Sequence, residues 1–153
     1  MKYSSSQSSS LQCAQQRGYL IVGVKADMPP FGASDVNGEF QGFEIDLGRD
    51  IARKLELGFR PHAVVASNRI EAVREKEIDL LIASMVDLPQ RREQVGVIDT
   101  PYYASPGIHV LARRDEGIRV MEDLRGRRVC GIEGSFYLDD ISKRYSPQLV
   151  RFT

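Results

Sequence analysis

Apolar and polar positions along this chain fall into blocks that switch between strand and helix periods. Leu20 to Val24 is a continuous apolar run of strand length, the pattern of a strand buried on both faces of a sheet. A Pro29-Pro30-Phe31 turn and a polar stretch ending in Asn37-Gly38-Glu39 follow, which reads as a hairpin-like excursion. After Gly42, the residues Phe43, Leu47, Ile51 and Leu55 form one stripe, with Arg49, Asp50, Arg53 and Lys54 elsewhere. That is the spacing of a helix laid on a sheet. Phe59 to Val65 reads as a second strand with an irregular start at Pro61. Asn68 is placed to cap a helix reaching Lys76, with Glu71 in the reciprocal position. Ile78 to Ala83 is a third strand. Asp87 is placed to cap a short helix holding Pro89, Gln90, Arg91 and Arg92, and Val95 to Ile98 is a further strand.

The second half continues the alternation. Gly107 to Ala112 reads as a hinge strand, Met121 to Arg125 as a short helix closed by Gly126, and Arg128 to Ile132 as a strand. Gly134-Ser135 opens a helix reaching Tyr145, and Leu149 to Phe152 begins another strand where the chain stops. Strands alternating with helices predict an α/β fold around parallel sheet. Lys25 and Phe31 then lie at the carboxyl end of the first strand, where open α/β sheets collect small ligands. Residues 1–17 are rich in Ser and Gln and are expected to be a disordered leader. A crossover that ends in its second strand predicts a truncated chain, and no internal repeat of fixed period is present.

Composition narrows the function. The 21 basic residues balance 21 acidic ones, which gives no support to a nucleic-acid partner, since such partners favour clustered positive charge. No apolar run approaches the ~18 residues of a membrane span, and no secretory h-region follows Met1-Lys2-Tyr3. The two cysteines, Cys13 in the polar tail and Cys130 in a strand, have no metal-ligand spacing. No cofactor is implied.

Specific motifs occur in order: Val22-Gly23-Val24-Lys25 with Asp27 and Pro29-Pro30-Phe31, then Asn37-Gly38-Glu39 with Gly42-Phe43-Glu44 and Asp46-Leu47. Asn68-Arg69-Ile70, Ile78 to Ala83, Pro101-Tyr102-Tyr103, Asp123-Leu124 with Gly126, and Val129-Cys130-Gly131 complete the set. From about Tyr19 to Tyr145 the chain resembles the family 3 solute-binding proteins of polar amino-acid ABC transporters. The resemblance implies a two-lobe, type II periplasmic-binding fold. Lobe one would run over 18–106, nearly complete, and 107–153 would hold the hinge strand and a partial lobe two. It implies a periplasmic protein that delivers an amino acid to an ABC transporter permease. It also implies that Cys130 pairs with a cysteine outside this chain. A lobe left with an unpaired sheet edge predicts association or domain exchange.

On that resemblance Arg91 forks onto the ligand's α-carboxylate, a match of two parallel donors to two oxygens. Lys25 and Arg69 face the same cleft, where a Lys and an Arg imply an acidic side chain, glutamate or aspartate. Phe31 covers the ligand stem, and Ser84 with its neighbouring backbone receives the ammonium group. Ser135, at a helix N-terminus, presents backbone donors to a carboxylate. Val86, Leu88 and Phe136 depart from the family pattern, standing where hydroxyl residues are usual. Each lost hydrogen bond to a buried polar ligand costs about 1–3 kcal/mol. Against this stand two other functions on the same fold, a dehydratase-like enzyme and a ligand-sensing domain of a receptor. No nucleophile–base arrangement supports catalysis, and His62 and His109 lie outside the cleft motifs. The Glu44 and Asp46 pair has an ordinary explanation, since the first turn of a helix favours acids.

Overall fold

The computed structural model describes residues 9–103 and 107–153. They fall into two compact units that divide after Val95. The boundary expected after residue 106, and residues 1–8 of the expected leader, touch positions outside the described residues.

In the first unit, residues 10–17 of the expected leader form a helix, α1, spanning Ser10–Arg17. Its cause is local. Ser9 Oγ accepts the Gln12 N–H at 3.2 Å, and Gln12 Oε1 accepts the Ser9 N–H at 2.9 Å, a reciprocal capping box. Gly18 ends the helix in the left-handed region at φ +80°. Ala14 buries completely against the sheet, and Arg17 reaches the carboxylate of Asp79, which also accepts the Ile21 N–H at 2.9 Å. Tertiary contact thus holds a polar segment that could not bury enough alone.

β1 (Tyr19–Val24) is the central strand. The excursion contains β2 (Asp27–Met28), β3 (Gly32–Ser34) and β4 (Phe40–Gln41), a three-stranded antiparallel sheet. α2 spans Phe43–Lys54, β5 Gly58–Ala63, α3 Arg69–Arg74, β6 Leu80–Ile82 and α4 Pro89–Arg92. The parallel sheet runs β5-β1-β6, with Leu20 opposite Phe59 and Val24 opposite Ile82.

Half of the stripe expected on α2 holds, since Leu47 and Ile51 pack partly buried against the core, but the deepest positions are others. Glu44, Ile45, Gly48 and Ala52 are buried, while Phe43 and Leu55 are exposed. Small residues cause the rotation. A Cβ on Gly48 would lie 2.9 Å from the Phe59 ring and 3.3 Å from Val22, so only glycine lets the helix sit this close to the sheet. Leu20, Val22, Val24, Ile45, Ala52 and Ile82 form the core on that face. Val64, Ala72, Ile78 and Ala83 form a second cluster, and Gly23 of β1 sits beneath Ile78 and Val64. β1 is therefore buried on both sides, as its apolar run predicted.

Two caps differ from expectation. Asn68 Oδ1 accepts the Val65 N–H at 2.9 Å and leaves α3 without a side-chain cap. Asp87 pairs with Arg92, and Leu88 occupies the cap position of α4. Among the described residues no ladder partner holds Val95 to Ile98 as a strand, and Ile98 is 73% exposed.

The second unit contains 3₁₀ turns at Arg114–Glu116 and Met121–Leu124, then β7 (Arg128–Ile132), α5 (Tyr137–Tyr145) and β8 (Gln148–Phe152). β7 and β8 pair in parallel, with Cys130 opposite Val150 and Ile132 opposite Phe152. Leu138 and Ile141 of α5 are buried, and a Cβ on Gly131 would meet Leu138 Cδ2 at 2.2 Å. The hinge strand expected over 107–112 has no ladder partner among the described residues, and Leu111 is fully exposed. Among the described residues no helix is long and apolar enough to cross a membrane.

Candidate functional site

The carboxyl end of β1 turns at Lys25 into the excursion, and the backbone there is tightly woven. A Cβ on Gly32 would lie 2.1 Å from the Lys25 carbonyl oxygen, so β3 returns directly over that residue. The first N–H groups of α2 are taken by the same loop: Phe43 donates to Pro30 O at 3.1 Å and Glu44 to Phe31 O at 2.8 Å. Gly42 permits this contact. It stands at φ +128°, and a Cβ would approach Phe31 O to 2.5 Å. The half-buried Phe31 is thereby fixed against the start of α2.

Buried polar groups gather at the same end of the sheet. Glu44 Oε1 accepts both the N–H and the Oγ–H of Ser84, each at 2.6 Å. Arg69 donates Nη1 to Ala83 O at 2.7 Å and Ser84 O at 3.4 Å. Lys25 is buried and pairs with Asp27 at 2.8 Å. The structure thus brings Lys25, Phe31, Arg69 and Ser84 to one end of the parallel sheet. Buried cations need such partners, because removal from water penalises an unpaired charge.

Val86 and Arg91 sit further along. Arg91 is 9% exposed and donates Nη1 to Val86 O at 2.7 Å. Burial lowers the pKa of its guanidinium. Arg92, one residue on, is exposed and paired with Asp87, and that hydrogen bond holds the Asp87 carboxyl below the usual carboxylate range. The two arginines are therefore separated by burial.

Ser135 and Phe136 belong to the second unit. α5 begins at Tyr137, later than expected, and the Ser135 N–H is engaged by Ile132 O at 3.1 Å. Ser135 therefore does not offer that donor outward. Phe136 packs edge-on against Tyr137.

Glu44 is the residue that sequence reasoning passed over. Its signal is positional: Glu44, Gly48 and Ala52 recur every fourth residue, so an acid shares a stripe with two small core residues. Among the described residues no cluster of His, Cys, Asp and Glu could hold a metal ion. Cys13 and Cys130 are free thiols.

These features define an α/β module of the type II periplasmic-binding kind. Residues 20–151 match the bacterial extracellular solute-binding proteins, family 3, and the chain belongs to that family. It is 29% identical to the arginine-binding extracellular protein ArtP of Bacillus subtilis over 84% of this chain and 49% of that protein. It is 32% identical to a glutamine-binding protein of Geobacillus stearothermophilus over 87% of this chain and 52% of that protein. The solved structure of an ancestral amino-acid-binding protein, a precursor of cyclohexadienyl dehydratase, superposes with a TM-score of 0.83 at 29% identity, covering 95% of this chain and 65% of that one. The chain spans about half the length of the curated relatives it matches.

Proposed function

We propose that this chain forms the ligand-gripping wall of an extracytoplasmic, periplasmic binding protein that captures a polar amino acid for an ABC transporter permease. The observation that carries the reading is Arg91, a buried guanidinium just beyond the parallel sheet in a chain of this family. In this role Arg91 takes the α-carboxylate, Ser84 the ammonium group, and Phe31 covers the stem. Val86 contributes its backbone.

For the ligand side chain we favour an acidic group, glutamate or aspartate. Lys25 supports this, because its partner Asp27 has a largely exposed carboxylate (56% of the side chain) that a ligand carboxylate can replace. Arg69 adds positive charge nearby, although its Nη1 is committed to backbone carbonyls. The relatives are named for arginine and glutamine, and competition between these and the acids decides the side chain.

The test titrates isotopically labelled chain with L-glutamate, L-aspartate, L-glutamine and L-arginine and follows amide shifts. Saturable shifts at Ser84, Val86 and Arg91 are expected with the acids, lost in Arg91→Ala, with every ligand recovered unaltered. Saturation by glutamine or arginine alone would remove the acidic assignment and keep the binding role. Consumption of ligand would instead favour the dehydratase-like reading that the ancestral neighbour brings to mind.

A further inference from the structure

Both hydrogen-bond donors of Ser84, its N–H and its Oγ–H, converge on one oxygen of Glu44, each at 2.6 Å. Glu44 is fully buried, and an ionised carboxylate is an acceptor only. Ser84 itself stands in the left-handed region at φ +47°, which a residue with a Cβ holds only when its surroundings impose it. The surroundings do so from two sides. Glu44 takes the N–H, and Arg69 takes the carbonyls of Ala83 and Ser84.

We infer that Glu44 is a positioning and specificity-determining residue: it locks the Ser84 backbone and turns the Ser84 hydroxyl into an acceptor, so that the site selects a protonated amine. A hydroxyl carries one hydrogen and two lone pairs. With that hydrogen drawn to a carboxylate in a short, charge-assisted bond, the oxygen meets a ligand through its lone pairs. This selectivity rests on the reading that Ser84 receives the ligand's ammonium group. The locking of Ser84 does not, because it involves only residues of this chain.

Two measurements separate the halves. Without ligand, amide hydrogen exchange at Ser84 should accelerate roughly tenfold in Glu44→Gln, the loss expected when a charged acceptor becomes neutral. Exchange at Val22 in the core strand should stay as it was. An unchanged Ser84 rate would overturn the positioning role. With ligand, L-glutamate is compared with glutarate, and L-glutamine with glutaramate, each pair differing only in the amino group. The wild-type chain should prefer the amine by roughly tenfold or more, and Glu44→Gln should bring the ratio close to one. Ser84→Gly guards against misfolding, since glycine accepts a positive φ without strain. It should lose the preference in the same way while keeping a sharp thermal transition. A preference retained in Ser84→Gly would overturn the selectivity. Absence of binding by all four probes would remove the selectivity together with the binding reading, and the exchange rates alone would then decide whether Glu44 positions Ser84.

Discussion

In the first unit β1 is covered on both faces, whereas in the second unit β7 and β8 bury one face only. Both units use parallel strands joined through a helix, an arrangement that normally shields a sheet from both sides. The first unit reaches it with α1 and α2 over Val22 and Val24, and with the cluster of Val64, Ala72 and Ile78 beneath Gly23. In the second unit α5 lies over Gly131, and the paired residues Ile132, Phe152 and Val150 remain exposed beside Cys130. The difference teaches where this chain keeps its precision. Polar groups buried at 5% exposure or less, such as Lys25, Glu44 and Arg69, are held only where a closed core fixes the surrounding backbone.

The comparison breaks most easily at the core of the first unit. Ile45→Ala should cost about 3–4 kcal/mol, the loss typical of emptying a fully buried aliphatic site, and chemical denaturation should record it. A loss below about 1 kcal/mol would mean that this core is looser than its burial indicates. Next comes Asp79→Ala, which removes the acceptor for Ile21 N–H and the partner of Arg17. About 2 kcal/mol is expected, with amide exchange rising first along α1. If α1 exchanges at its former rate, the helix is held by Ala14 alone.

A smaller effect distinguishes the second unit by its pH dependence. The Asp123 carboxylate accepts the N–H groups of Arg119 and Val120, and these bonds hold its pKa below the ordinary value. Its folded-state pKa is depressed, so its contribution is complete above the ordinary carboxylate pKa and fades as pH falls through the depressed one. Asp123→Asn should therefore lower the melting point at neutral pH and leave it unchanged in strong acid. A difference that persists in acid would assign the effect to packing. The smallest change is expected from Phe152→Ser, within about 0.5 kcal/mol because the ring is largely exposed already. A large loss there would mean that the open face is covered in solution.

Much of this was readable before any coordinates. The apolar run Leu20–Val24 required a doubly buried strand, the alternation required parallel α/β structure, and the ordered motifs pointed to the family that residues 20–151 match. Arg91 and Ser84 were legible as candidates from their motif positions. Less legible were α1, whose composition argued for disorder and whose Ser9–Gln12 box came to light only in the structure, and the stripe of α2, where Phe43 and Leu55 gave way to glycine and alanine. Val95–Ile98 and Gly107–Ala112 have the apolar content of strands, but a strand exists only when a neighbour takes its hydrogen bonds.

Local patterning in the chain was sufficient for the alternation around β1, the parallel sheet and the family, because periodicity and turn chemistry act between residues close in sequence. Which polar groups meet came only with the folded chain. Glu44 and Ser84 are 40 residues apart and Arg69 and Ala83 are 14 apart, and no short-range pattern encodes such contacts. They arise because packing α2 against β1 carries a carboxylate into the core, and burial then requires that it find a donor.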